Sequence, residues 1–270
     1  MKAFTRRLLK RYPRLQDAAK LLMGIVDPRF GVSSRYALVA GDEVSTEAER
    51  LAKSWTAASI PARQRQLVDR QLRDFASGKS IQAFDVFVDL LKPHAQEGHT
   101  RSLLEIGCSS GYYSDVLRLR GLPFAYSGCD YSPAFIAMAQ SHYPEIDFRV
   151  EDATRLTYPD ASFDAVVSGC CLLHIPDYEA AIAETARVAR DLVLFHRTPL
   201  VIGRPTEVFT KAAYGVETIE IHLSDALFYQ LLANHGLKVV QTATLSTDQT
   251  PRGPSEVISI LCRKTEPSHA

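Results

Sequence analysis

The sequence predicts an α/β protein, a doubly wound and mostly parallel sheet behind a helical N-terminal cap. Three observations carry that reading. From Arg101 onward, short apolar runs alternate with helical segments, the texture of parallel strands joined by crossover helices. Three successive runs end on or just before a carboxylate, at Glu105, Asp130 and Asp152. The residues before Arg101 lack that alternation, and their apolar positions recur at helical spacing.

The elements follow in chain order. The first 20 residues carry Lys2, Arg6, Arg7, Lys10, Arg11, Arg14 and Lys20 against the single acid Asp17, with Phe4, Leu8, Leu9 and Leu15 between them. Two uses fit this arm: a solvated helix packing one face on the body, or a basic amphipathic segment over residues 1–23 making weak contact with an anionic membrane surface. Residues 28–45 read as loop. Three helices are expected next, over Thr46–Ser59, Pro61–Ser77 and Ile81–Pro93. Thr46 and Glu49 have capping-box spacing, Pro61 suits a first helical position, and Gly78 suits a C-terminal cap.

Strands are then expected at Ser102–Ile106, Phe124–Cys129, Asp147–Val150, Phe163–Ser168 and Asp191–Phe195. Helices near Tyr113–Arg120, Pro133–His142 and Tyr178–Ala189 separate them. Pro199, Gly203, Pro205 and Gly215 break the rhythm, so 199–223 reads as an irregular insertion. A helix at Ser224–His235, ended by Gly236, leads into strands Leu237–Thr244 and Val257–Cys262. The polar loop between those two suits an antiparallel pair, since a parallel crossover would need a helix. The predicted division is a helical cap over 1–98 and an α/β domain over 99–270.

Composition excludes several classes. With 270 residues, 46% of them hydrophobic and 23% charged, the chain has the make-up of a soluble globular protein. Its 31 basic and 31 acidic residues cancel, which argues against a nucleic-acid partner held through phosphate neutralisation. No apolar run approaches the roughly 18 residues of a membrane span, and the N-terminus lacks a secretory leader's apolar stretch. Cys108, Cys129, Cys170, Cys171 and Cys262 show neither zinc-ligand nor redox spacing; they read as buried thiols in a reducing cytoplasm, with no metal expected.

The stretch that carries chemistry is Leu103-Leu104-Glu105-Ile106-Gly107-Cys108-Ser109-Ser110-Gly111-Tyr112-Tyr113. A buried strand ends near a carboxylate, turns through glycines and enters a helix, which brings backbone N–H groups close to a ligand. Asp130, ending the second strand, is placed to accept both hydroxyls of a ribose. Asp152 after the third is placed to accept from an adenine amine. With these residues in view, the chain resembles the class I S-adenosylmethionine-dependent methyltransferase family, over roughly 100–198 and more loosely 224–263. Ser109 stands where the family's middle glycine is usual. Ser162-Phe163-Asp164-Ala165-Val166-Val167-Ser168 with Leu173-His174 resembles the family's fourth-strand motif.

The resemblance implies a seven-stranded sheet with an antiparallel final strand and S-adenosyl-L-methionine as cofactor. It implies cofactor binding at Glu105, Gly107, Cys108, Ser109, Gly111, Asp130, Tyr131, Asp152, Ala153 and Ser168, with Tyr131 packing on adenine. A nicotinamide dinucleotide site is the rival. Counted from Gly107, its third glycine would fall at Tyr112, too large for close helix–strand packing. A non-catalytic cofactor-binding protein on the same fold is the other alternative.

The expected reaction is methylation of a small-molecule acceptor, a hydroxyl of a sugar, glycan or secondary metabolite, with N- or C-methylation as the alternative. The cap and the insertion should enclose the acceptor. His196 and Arg197 follow the expected fifth strand, so His196 is the preferred base. His174 and His222 are further candidates, and Arg197 and Tyr214 are expected to bind the acceptor. Trp55, the only tryptophan, is either core or a lid over the cofactor.

Overall fold

The computed structural model describes residues 33–51, 53–95, 98–250 and 252–265. The basic arm over 1–23 lies outside the described residues. Ten strands and seven α-helices are numbered here among the described residues. The chain opens with β1 (Ser33–Leu38), then α1 (Val44–Leu51), α2 (Ile60–Ala76) and α3 (Gln82–Leu91). The alternating unit follows as β2 (Arg101–Ile106), α4 (Tyr113–Leu119), β3 (Phe124–Asp130), α5 (Pro133–His142) and β4 (Phe148–Val150). It continues through β5 (Phe163–Gly169), α6 (Tyr178–Val188) and β6 (Ala189–Val201). A hairpin of β7 (Glu207–Ala213) and β8 (Val216–Ser224) precedes α7 (Asp225–Asn234), β9 (Leu237–Thr250) and β10 (Gly253–Lys264).

The central sheet has seven strands in the order β4-β3-β2-β5-β6-β10-β9, and β10 alone runs antiparallel to its neighbours. Period-two alternation divides its side chains between two apolar layers. Leu103, Ala165, Val167, Leu192 and Leu194 meet α3, α4 and α5 through Phe87, Val116 and Ile136. Leu104, Val166, Val193 and Phe195 meet α6 and α7 through Ile182 and Phe228 on the other face. Strands buried on both faces must be apolar almost throughout, which is why they stand out in the sequence.

Three expectations need correction. Residues 28–45 are not all loop, because β1 pairs antiparallel with β7 from Ser33 against Ala213 to Leu38 against Phe209. The 199–223 region is not irregular: β7 and β8 pair over Glu207–Ala213, and their connection is Tyr214-Gly215, with φ of 50° and 85°. Two successive positive φ values are those of a type I′ hairpin turn, which turns a strand with the right twist. Nor does the fifth strand stop at Phe195. It pairs with β5 as far as His196, then with β8 at Leu200–Val201, so one long strand serves both the central sheet and the outer β1-β7-β8 sheet. No helix among the described residues is long and apolar enough to cross a membrane.

Candidate active site

The carboxyl ends of β2 to β5 open on one cavity of about 800 Å³, within the size range of small-molecule sites. Of the residues expected there, Gly107, Ser109, Asp130, Tyr131, Asp152, Ala153, His174, Arg197 and Tyr214 line it. Trp55, Gln64, Tyr112, Cys170 and Lys211 join them.

The turn after β2 explains its own residue types. Gly107 has φ +73°, and a side chain there would collide with Cys171. Gly107→Ala should therefore lower the unfolding free energy in urea by about 1–3 kcal/mol, whereas Gly41→Ala, with open space around it, should be near neutral. Asp130 is buried, 8% exposed, and bridges two turns: Oδ2 accepts from Ser109 N at 2.9 Å and Oδ1 from Ser132 N at 2.9 Å. Burial pushes its pKa up to about 6 against the pull of those two N–H groups. Each oxygen keeps a second acceptor position. Asp152 stands exposed at the cavity edge, where its Oδ1 accepts from Thr154 N and Oγ1 at 2.9 and 2.7 Å.

Glu105, Cys108, Gly111 and Ser168 lie behind the cavity wall and do not line it. Glu105 is 2% exposed, accepts a hydrogen bond from Tyr126, and sits under Gly169, where any side chain would strike it. Burial raises its pKa well above the usual carboxylate value. Cys108 is fully buried against Gly128, and Gly111 lies where a side chain would strike Phe148. The Ser168 hydroxyl meets the Cys171 thiol at 3.3 Å.

The three histidines separate. His196 is 1% exposed and faces the α3–α4 layer, with Nε2 2.9 Å from the Tyr113 hydroxyl, Nδ1 2.9 Å from Ser259 Oγ and Phe87 against its ring. Because β6 runs on, His196 takes the alternate face from Phe195 and is sealed beneath helices; burial holds its pKa down to about 3. It is not delivered to the crevice, and the expectation of a base there fails at this residue. His222 also lies off the cavity, on β8 of the outer sheet, with Nε2 2.8 Å from Glu220 Oε1. That carboxylate is shared with buried Lys211.

His174 does line the cavity. It ends a short 3-10 turn, Leu172–His174, and its ring packs on Trp55 at 4.6 Å between centroids. Its Nδ1 lies 2.6 Å from the carbonyl oxygen of Ile219. A carbonyl only accepts, so the hydrogen sits on Nδ1 and Nε2 carries the lone pair. Burial, with Lys211 nearby, lowers its pKa to about 4, so the ring is neutral, with its lone pair free, across the physiological range.

Arg197 reaches the cavity through a β-bulge. Opposite Ser259 the β6–β10 register shifts, Arg197 takes φ +62°, and its N–H donates to Ser259 Oγ at 3.2 Å. A bulge re-aims a side chain that strict alternation would send elsewhere. Among the described residues, non-glycine positive φ occurs at Ser109, Ala161, Cys170, Arg197 and Tyr214; all but Ala161 line the cavity. Such strain persists only where surrounding structure enforces it, and it clusters at functional sites.

Trp55 lines one side of the cavity. It precedes α2, its backbone N–H donates to the Tyr131 hydroxyl at 3.1 Å, and its ring meets Tyr214 at 6.0 Å. Arg63 on α2 donates to the Tyr214 carbonyl at 2.6 Å, tying the hairpin tip to the cap. Sequence spacing gave no signal for the involvement of Gln64, Cys170 or Lys211.

A family model described as a methyltransferase domain matches residues 104–194. A protein of Mycolicibacterium smegmatis named "Probable S-adenosylmethionine-dependent methyltransferase" is 28% identical over 52% of this chain and 62% of its own length. A phosphatidylethanolamine N-methyltransferase of Cereibacter sphaeroides is 28% identical over 59% of the chain and 77% of its own. The chain spans less than two thirds of the first curated relatives it matches, and only 32% of a Mycobacterium tuberculosis one. Among solved structures, a Burkholderia thailandensis 1,6-didemethyltoxoflavin-N1-methyltransferase with bound S-adenosylhomocysteine superimposes with TM-score 0.50 and 17% identity, over 87% of this chain and 94% of that one. The sheet order, the glycine turn beside Asp130 and the matched segment agree: residues 104–194 match a methyltransferase domain, and the chain has the fold of the class I S-adenosylmethionine-dependent methyltransferases.

Proposed function

We propose that the chain transfers a methyl group from S-adenosyl-L-methionine to a hydroxyl of a small-molecule acceptor, a sugar, glycan or secondary metabolite. The observation that carries the cofactor assignment is Asp130: a buried carboxylate at the end of β3, beside the Gly107–Ser109 turn, with acceptor capacity left on both oxygens. The wall around it fits the same group. The Trp55 indole N–H and the Gln64 side-chain oxygen are buried there with no partner among the described residues, a state that a polar ligand relieves. Asp130 would hold the ribose hydroxyls, Asp152 and Ala153 the adenine, and Gly107 and Ser109 the methionine arm.

When bound, the cofactor supplies an activated methyl on a sulfonium, already provided with a good leaving group. The chain's part is then to position, desolvate and deprotonate. His174 is the proposed base, since its lone pair on Nε2 would accept the hydroxyl proton while the Ile219 carbonyl fixes the tautomer. The apolar faces of Trp55, Tyr112 and Tyr214 exclude water from the acceptor side.

Calorimetry with S-adenosylhomocysteine, followed by transfer of labelled methyl to a panel of hydroxylated and aminated acceptors, tests the proposal. Cofactor-product binding with label on an oxygen is expected. Absence of binding would remove the cofactor assignment, and label on nitrogen alone would remove the hydroxyl.

A further inference from the structure

Resting on the methyl-transfer reading, we propose that the acceptor carries an oxyanion, a carboxylate or a phosphate, which the Arg197 guanidinium binds at the far end of the cavity from Asp130. Arg197 has no carboxylate within ion-pair distance among the described residues, and no side-chain hydrogen bond. Every acid lining the same cavity lies on another strand end or loop: Asp130, Glu151, Asp152 and Asp177. The groups around the guanidinium are instead Cys170 and the hydroxyls of Tyr113, Tyr112 and Tyr214, and an arginine stays protonated in any case. A recessed cation without a counter-charge is unfavourable, and this one stands on a backbone held at φ +62°. Both features make sense if an anionic ligand completes the site.

The cofactor's own carboxylate is the competing source of negative charge, and position argues against it. From β3, which carries Asp130, to β6 the sheet advances three strands, on the order of 14 Å at ~4.8 Å per strand. Beside Arg197 stands Tyr214, the tip of a hairpin outside the central sheet, so the cation faces the acceptor wall. The planar fork of arginine matches a carboxylate or phosphate edge, and the Tyr112 and Tyr214 side chains in the same cavity wall carry hydroxyls that can donate to the remaining oxygens.

The test uses the full chain saturated with S-adenosylhomocysteine and three flat probes: benzoate, phenyl phosphate and neutral benzamide. At least one anion should bind more tightly than benzamide. Arg197→Met should weaken that anion by about tenfold or more, and Arg197→Lys by less, since it keeps the charge and loses the fork. Affinity for S-adenosylhomocysteine should hold within about threefold in both variants. The melting temperature of ligand-free Arg197→Met should stay level or rise, because an unpaired recessed cation is removed. Benzoate winning over phenyl phosphate assigns a carboxylate, and the reverse assigns a phosphate.

Anion affinity unchanged by Arg197→Met, or no anion preferred over benzamide, would overturn the proposal. So would loss of S-adenosylhomocysteine binding in Arg197→Met with 5′-methylthioadenosine binding intact, which would give Arg197 to the cofactor's carboxylate. A wild-type chain that ignores S-adenosylhomocysteine yet binds an anion through Arg197 would leave the anion site standing and remove the methyl-transfer reading instead.

Discussion

His174→Asn is expected to lower turnover by roughly 10²–10⁴-fold, the usual worth of a positioned general base. Asparagine places its amide nitrogen where Nδ1 stands, so the hydrogen bond to the Ile219 carbonyl survives and only the Nε2 lone pair is lost. Affinity for S-adenosylhomocysteine should change little. The pH profile adds a second reading. With its pKa held near 4, His174 stays a free base through neutral pH, so kcat at saturating cofactor should show no acid limb between pH 5 and 7 from this residue. Near-normal turnover of His174→Asn with the acceptor found in the labelling screen would remove it as base. A purely positional role would raise KM and leave kcat in place.

Asp130→Asn is expected to weaken cofactor binding by about tenfold or more, since a ribose hydroxyl loses a charge-assisted acceptor. Its effect is not confined to the ligand. The same carboxylate accepts from Ser109 N and Ser132 N, so the variant also sets an amide against one of two buried N–H groups, and a lower melting temperature should accompany the weaker binding. Hydrogen-ion dependence separates the two. Burial raises the Asp130 pKa to about 6 in the ligand-free chain, so below that pH the group is protonated and loses acceptor strength. Wild-type affinity should fall as pH drops from 7.5 to 5, whereas Asp130→Asn should be flat over the same range. Equal wild-type affinity at both values would contradict the assignment of Asp130 to the ribose.

What the sequence disclosed follows from the range of the interactions involved. Helix α5 is legible to the residue, Pro133–His142, because a proline start and helical periodicity are local. The ends of β2 and β3 are legible because a carboxylate closing an apolar run has few other uses. The outer sheet was hidden: β1 is defined only by its pairing with β7, some 180 residues away in sequence, and the hairpin turn is Tyr-Gly where Asn-Gly would have announced itself. The misplacement of His196 has one cause. A strand judged to end at Phe195 sends the next residue into the crevice, but a strand that continues buries it. The bulge opposite Ser259, on β10, sends Arg197 to the cavity in its place. Trp55 could not be decided from sequence, since a lid and a core tryptophan share the same composition and neighbours.

The shared strand β6 has a consequence for how such a protein can change over time. Asp130, Gly107 and Asp152 rest on β2, β3 and β4, whereas Tyr214 and the Ile219 carbonyl that sets His174 belong to the β7–β8 hairpin hung from the far half of β6. On the proposed function, mutations accumulating in residues 207–224 would therefore reshape what is methylated while leaving untouched the part proposed to hold the methyl donor. New specificities can arise by drift in one small module, with the ancestral cofactor half inherited intact.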